Sequence, residues 1–502
     1  MNKLFLLLMI GWSGAVLAQH QHHEGMTMPK KEPSGNRPKA DTTKPMDHAM
    51  PAGHNHGDMD MDGAMKNHDM NGATDMVNYG LTMDTTMGMT HSLSRNLPMN
   101  RNGSGTSWHP DNTPMYAYMS HPSPKGWSYM LHYAIYLRYT SQNMNNPDGR
   151  GRGQQFGAPN WFMGMAQRKI GQRGLFQVRA MVSLDPLTVS NGGYPLLFQT
   201  GETYQDQPLI DKQHPHDLVS ELSVSYSHAL SKDIDLYGYV GYPGEPAVGP
   251  PAFMHRISSF NNPDAPLGHH WQDATHILFG VTTVGFRYKW AKLEGSAFKG
   301  REPDENRYDY DAFKLDSYSY RLSVNPSPSL ALQFSQGFLH SPEQAHPEED
   351  VTRTTASLLH SKALGPDSYV TTALVWGQNS HHGVNEGSYL AESSLQLKRW
   401  AFYGRYENVG KSVEELELQG QIEPEDQVLT INNLTLGTNY RIAQQRNTDL
   451  VLGAQLTGSM PDKTLQTFYG KLPISGEIYL RLTPSLMTMR TMSGTHHMKG
   501  HH

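Results

Sequence analysis

The sequence predicts an all-β protein, a transmembrane antiparallel β-barrel of about 16 strands (14–18) behind a disordered His/Met-rich N-terminal segment. Three observations carry this. Polar and apolar residues alternate with period two from Ser128 onward, as Tyr129, Leu131, Tyr133, Ile135, Leu137 and Tyr139 do against Met130, His132, Ala134, Tyr136 and Arg138. Short connections such as Gly171-Gln-Arg-Gly174, Ser231-Lys-Asp233, Asn325-Pro-Ser-Pro328 and Lys398-Arg399 take turns with long ones near 186–216, 242–273 and 300–314. No apolar run beyond the first residues is long enough for a membrane helix, so a membrane form must be a closed barrel. A water-soluble β-sandwich or propeller would also alternate, but Trp161, Trp290 and Trp400 at strand ends suit interfacial girdles.

Composition narrows the function classes. Mean hydropathy is −0.59 with only 18% charged residues, so the polarity comes from Gly, Ser, Thr, Asn, Gln, Tyr and His. A net charge of −6 argues against nucleic acid as a partner. The chain has no cysteine, which excludes disulfides and leaves His, Met and carboxylate as the metal ligands.

In chain order, residues 1–18 read as a signal peptide: Lys3, the apolar run Leu4 to Ile10, and Val16-Leu17-Ala18 before a mature start at Gln19. Residues 19–92 are low-complexity and too poor in apolar groups to offset their ordering entropy. They carry His20, His22, His23, Met26, Met28, His48, His54, His56, Met59, Met61, His68 and Met70. Thioether sulfur suits Cu(I), and imidazole suits Cu(II), zinc and nickel. Methionine is normally a core residue and has no core to join here. The mixture therefore points to copper first, with silver, zinc or nickel as alternatives, against the plain reading of an inert polar linker. Residues 93–127 form a turn-rich connector containing Gly103-Ser-Gly-Thr-Ser-Trp108. The barrel is expected over 128–486, with strands near 128–140, 161–170, 175–185, 217–229, 234–241, 274–289 and 291–299, then nine more from 315 to 486. Its last strand lacks the terminal aromatic residue of many outer-membrane barrels. Residues 487–502 form a second His/Met-rich tail, with Met487, Met489, Met492 and His496-His497-Met498. An even strand count puts both termini in the periplasm.

The chemistry concentrates between Asp211 and His276. The candidate ligands are His214, His216, Asp217, His255, His269, His270, Asp273 and His276, with Met254 beside them. If Asp217 and Ala274 begin strands with one strand between them, the two His-rich loop ends sit on the order of 10 Å apart, within side-chain reach. Arg256, Arg301 and Arg307 beside Glu302, Asp304, Glu305 and Asp309 suggest a fixed charge ladder that sets ion preference. Proline in loops 186–216 and 242–273 suggests stiff loops folded inward as a constriction. For any single histidine, a hydrogen-bonded loop or lumen residue is the ordinary alternative, and His214-x-His216 lacks the specificity of a zinc motif. There is no phosphate-cradling glycine loop and no Gly-x-Ser-x-Gly elbow, so no enzyme is expected.

Several stretches together resemble a largely uncharacterised family of exported bacterial outer-membrane-type proteins associated with heavy-metal, especially copper, resistance. They are Gly103-Ser-Gly-Thr-Ser-Trp108 with Pro114-Met115, Met163-Gly-Met-Ala-Gln167, Gly193 to Glu202, Pro208 to Asp217, Gly249-Pro-Pro-Ala-Phe-Met-His255 and Phe298 to Tyr308. The likeness spans most of the chain from Gly103 onward and implies a role in metal tolerance without assigning residue roles. The leader is also similar to that of the outer-membrane copper-resistance protein B group, a likeness that does not extend to the barrel. The expected function is thus an outer-membrane barrel in copper or related soft-metal tolerance, with metal ions, the lipid bilayer and periplasmic metal-handling proteins as partners. The alternatives are a general porin with metal-buffering tails and a barrel enzyme with a lumen metal site.

Overall fold

The computed structural model describes residues 91–120, 126–344, 346–425 and 427–487. The signal peptide, the leader ligands from His20 to Met70 and the tail beyond Met487 lie outside them. Sixteen antiparallel strands form a closed barrel. They are β1 (Ser128–Gln142), β2 (Asn160–Ile170), β3 (Gly174–Val182), β4 (Val219–Ala229), β5 (Ile234–Gly241), β6 (Val281–Tyr288), β7 (Ala291–Phe298) and β8 (Ser317–Ser327). They continue as β9 (Leu330–Leu339), β10 (Val351–Gly365), β11 (Ser368–His381), β12 (Val384–Leu397), β13 (Trp400–Ser412), β14 (Val428–Gln445), β15 (Thr448–Pro461) and β16 (Ile474–Pro484). Each pairs with its sequence neighbour, and β1 closes on β16 from Ile135↔Leu482 to Ser141↔Gly476. Closure leaves no unpaired edge, which is what a sheet in lipid requires.

The alternation seen in the sequence is a wall that is apolar outside and polar inside. Leu131, Leu137, Val284, Leu293, Leu322 and Leu436 are exposed on the outer face. Arg138, Lys292, Glu294, Arg321, Glu392 and Arg405 are buried on the lumen face. This is the inverse of a water-soluble sandwich and matches a bilayer as the outer solvent. Trp290 and Trp400 sit exposed at the short-turn rim as a girdle would. Trp161 does not. It is in register with the fully buried Ala134, so it faces the lumen and packs on His132 and His255.

Seven connections at one end are two to four residues long, and those at the other end are long with one exception. There β11 and β12 run on to His381 and Val384 and turn through His382 and Gly383, both at positive φ, as a two-residue hairpin demands. One expected strand start is corrected. Residues 274–280 are not strand: Ala274–His276 is a 3-10 turn and the wall resumes at Val281. The apparent alternation there belongs to a loop folded inside the barrel, where Ala274, Leu278 and Phe279 are buried.

That loop, 242–280, is a plug. Its backbone and side chains bind the wall on opposite sides: Ala247 N–H donates to Ser296 Oγ (2.8 Å), Asn261 Nδ2 donates to Ser394 Oγ (2.7 Å), and Asp264 accepts from Arg138 (2.7 Å) and Gln455 (2.9 Å). The connector enters the lumen as well. Thr106 Oγ1 accepts from Arg321 (2.8 Å), Ser104 Oγ accepts from Ala252 N–H (2.8 Å), and Trp108 and His109 are buried. Tyr118–Ser120 then adds a short strand against the lower part of β1. The wall's charges are therefore paired with one another and with the plug, as in Arg321–Glu294 (3.0 Å) and Arg405–Glu392 (3.1 Å). A buried charge left unpaired would cost several kcal/mol, on the order of 3–5.

Candidate functional site

Two loops bring the predicted histidines together. His214 and His216 come from 183–218, and His269, His270 and His276 from the plug. Ring centroids lie 5.8 Å apart for His214–His270, 5.6 Å for His216–His276 and 5.2 Å for His269–His276. The short helix His269–Gln272 places its two histidines on the side facing the 183–218 loop. Four of the five rings have their own acceptor. His216 Nδ1 lies 2.9 Å from Asp185, His214 Nε2 3.4 Å from Glu202, His269 Nδ1 2.5 Å from Asp273, and His276 Nδ1 2.9 Å from the Asp273 carbonyl. His270 Nδ1 lies 3.6 Å from Glu302, and neither of its buried ring nitrogens makes a hydrogen bond among the described residues.

Burial decides the charge state. It pushes His214 well below the usual imidazole range, helped by Arg307 and the neighbouring histidines, and it lowers His269 and takes His276 down to about 3. Burial raises Asp217 to about 7, only partly offset by Arg307. Asp273 moves the opposite way, because Arg256 and His269 outweigh its desolvation. The imidazoles of His214, His269 and His276 are thus held neutral, as metal ligands must be. Their ligand atoms nevertheless do not converge: among the described residues, no three from this stretch lie within 4.8 Å of one another. The cluster is a chain of histidine–carboxylate pairs rather than a formed coordination sphere.

The three arginines expected to form one ladder are committed separately. Arg256 binds Asp273 and Glu392 (Nε to Oε1, 3.0 Å), and Arg307 binds Glu202 (2.9 Å). Arg301 Nε donates to the Ser341 carbonyl (2.6 Å). His255 also parts from the others, its ring lying against His132 (5.6 Å) and Trp161 (5.1 Å).

Sequence reasoning missed a crevice of about 30 Å³ at the long-loop mouth. Here Glu349, His381 and His382 bring ligand atoms within 4.8 Å, and so do Glu343, His346 and Glu415 beside them. Glu349 spans the two histidines, 3.2 Å from His381 Nδ1 and 3.3 Å from His382 Nδ1. Burial, then the carboxylates of Glu415, Glu302 and Glu386, push Glu343 well above the usual carboxylate range, a strain that a bound cation relieves. The signal was the adjacent pair His381-His382 between two acidic runs, Glu348-Glu349-Asp350 and Glu414-Glu415. It is informative only once a hairpin and two loops are known to meet. A third convergent group, Asp304, Asp309 and Asp311, is largely exposed on loop 299–316.

Fold and surface together define a membrane-spanning β-barrel of the outer-membrane type with a plugged lumen. No family model and no curated protein matches the chain. Among solved structures it is similar to Salmonella typhi OmpF in complex with daunomycin, at 9% identity and TM-score 0.46, covering 73% of this chain and 100% of that one. It is similar to the Pseudomonas putida OprB structure at high pH (10% identity, TM-score 0.44, 72% and 94% covered). It is also similar to the anion-selective porin from Comamonas acidovorans (9%, 0.42, 71% and 100%).

Proposed function

We propose that the protein is an outer-membrane barrel that takes part in tolerance of copper or a related soft metal, binding the ion at both ends and passing it, free or complexed, through the barrel when the plug moves. The observation that carries this reading is the mouth crevice, where two His/carboxylate triads converge around Glu349 and Glu415. Imidazole and carboxylate suit Cu(II), zinc and nickel, while the His/Met leader, read as periplasmic, adds sites for Cu(I) or silver. The resemblance of the Gly103 to Tyr308 motifs to proteins of heavy-metal resistance supports the same assignment. A general porin with metal-buffering tails is the second reading, favoured by the porin-type wall and disfavoured by the filled lumen.

The test loads the purified full chain with Cu(II), dialyses it and counts metal per chain. Glu349→Gln with His381→Gln is expected to remove at least one equivalent and leave the rest. An unchanged count removes the crevice from the proposal. In cells, deletion of residues 20–91 is expected to lower copper tolerance with small-solute permeability unchanged. Unchanged tolerance favours the porin reading.

A further inference from the structure

The fold assembles a second cluster that neither the charge pattern nor the histidine spacing announced. Of the eleven methionines among the described residues, eight fall in one group on the lumen side of β1, β2 and β3 and the elements packed on it. The strand register explains why. Met130 of β1 opposes Met165 of β2, His132 opposes Met163, and Met163 opposes Met181 of β3, so their side chains share the lumen face. From the plug come Met254 and His255, and from the connector Met99, His109 and Met115. All but Met181 line a cavity of about 90 Å³, larger than the mouth crevice and room for an ion.

Two features make this more than a core. Methionine packs cores well, but eight of the eleven described methionines gathered with three histidines also concentrate soft thioether donors at one place. The histidines are also in a costly state for packing residues. The Nε2 atoms of His109 and His132 are fully buried and have no hydrogen-bond partner among the described residues. The ring of His255 lies 5.6 Å from that of His132, and burial followed by its neighbours His132, His276 and His109 keeps it uncharged. Buried imidazole nitrogens without partners are exceptions that call for an acceptor or an ion.

The electrostatics select the ion. Among the described residues, no carboxylate lines the cavity. The one arginine or lysine among them that does, Arg179, is already paired with Glu221 (3.2 Å) and donates to the Gly105 carbonyl. A divalent ion would enter with no negative ligand to offset its desolvation. A monovalent soft ion needs only polarizable neutral donors. We infer that the cavity bounded by Met130, Met163, Met165, Met254, His132 and His109 is a binding site for Cu(I) or Ag(I), separate from the His/carboxylate crevice. The inference deepens the metal-tolerance reading and rests on it for its biological sense. It also places the site where the chain leading in from the His/Met-rich segment meets the plug.

The test uses the full chain in detergent, labelled with ¹³C at the methionine methyls and titrated with Ag(I), which avoids redox chemistry. Methionine-to-leucine exchange keeps volume and is well tolerated in cores. It therefore removes sulfur without emptying the cavity. The variant Met130→Leu, Met163→Leu, Met165→Leu, Met254→Leu is expected to lose one tightly held Ag(I), and the methyl signals that it deletes are those that shift in the parent. Met144→Leu with Met460→Leu, outside the cluster, keeps every equivalent. His132→Gln, which leaves all sulfurs in place, is expected to weaken the same equivalent at least tenfold. Unchanged stoichiometry in the fourfold variant, or parent signals of Met163 and Met165 that stay still at Ag(I) saturation, overturns the inference and leaves the methionines as packing. Copper tolerance of cells carrying the fourfold variant is a separate readout. An equivalent lost with tolerance intact keeps the site and sinks the tolerance reading. Tolerance lost on deleting residues 20–91 with no cavity equivalent does the reverse.

Discussion

Arg256 is the residue on which the docking of the plug is expected to turn. It sits mid-loop at 1% side-chain exposure, between Asp273 of the same loop and Glu392 of β12, each also 1% exposed. Its Nε donates to Glu392 at 3.0 Å, and its terminal nitrogen donates to Asp273 and to the Pro251 carbonyl at 2.9 Å. Glu392 is shared with Arg405 and Ser258. Truncating Arg256 to alanine therefore leaves Asp273 without its principal cation and Glu392 with one of two. Breaking a buried pair from one side costs about 3–5 kcal/mol; Arg405 remains to Glu392, so about 3 kcal/mol is the reasoned value. At about 1.4 kcal/mol per factor of ten, the docked-to-released ratio of the plug falls roughly a hundredfold. The assay is conductance of the purified protein in planar bilayers. Parent channels are expected to be closed or nearly so, and Arg256→Ala to open in long bursts. Arg256→Met with Asp273→Asn removes the stranded carboxylate while Arg405 still pairs Glu392 (3.1 Å), and is expected to close the channel again in large part. An Arg256→Ala protein as silent as the parent refutes the idea that this ionic knot holds the plug.

Three further outcomes follow from the same geometry. His276 has its folded value near 3 against 6.5 unfolded, so its contribution to stability is full above about 6.5 and is lost as pH falls toward 3; His214 and His269 share the direction. Asp217, raised to about 7, works oppositely, stabilising below its unfolded value and losing that as pH rises through 7. Lower amide protection in 242–280 at pH 5 than at pH 7.5, each measured against the intrinsic exchange rate at that pH, is expected, with a smaller difference in His276→Gln, and equal protection at the two pH values would contradict the histidine account. On the outer face Leu436, 61% exposed on β14, should tolerate alanine but lose about 2–4 kcal/mol as Leu436→Arg, read as the urea midpoint of folding into phospholipid vesicles. In the lumen, Glu294→Gln removes the partner of both Arg321 (3.0 Å) and Lys292 (3.0 Å); it is expected to cost more in the same vesicle assay than Arg441→Gln near the short-turn rim, where the side chain is 15% exposed, and equal costs would mean water reaches the Glu294 site.

The wall was legible because its cause is local. A strand between lipid and a polar lumen must alternate, so Tyr318, Tyr320 and Leu322 against Ser319, Arg321 and Ser323 give the strand and its two faces without knowledge of its neighbours. What failed was whatever depends on register or on non-local meeting. Trp161 reads as a girdle residue until its pairing with Ala134 turns it inward. Residues 274–280 alternate yet are loop, because burial in a plug and burial in a wall leave the same apolar marks. The convergence of 214–216 with 269–276 was visible from strand order, but the partner of each ring was not: Asp185 and Glu202 come from a loop whose path no periodicity encodes. The Met/His cavity was invisible for the same reason, since Met130 and Met165 are neighbours only once β1 and β2 are in register.

The filled lumen also changes what the wall charges are for. In a water-filled pore, lumen arginines and carboxylates face solvent and act on ions at a distance, screened within about 8 Å at physiological salt. Here Arg138, Arg321, Arg405 and Arg481 each reach a carbonyl or side chain of the plug or connector: Asp264, Gly249 and Thr106, Ser259, and Asn261. Their remaining donors are used up in docking. Opening is then expected to move the plug as a unit, because these contacts are lost together, while Arg138, Arg321 and Arg405 keep the wall carboxylates Glu477, Glu294 and Glu392. This makes the plug cooperative. A single weakened anchor such as Arg256 shifts the whole equilibrium, whereas replacing rim charges such as Lys314, which is 59% exposed, leaves it unmoved.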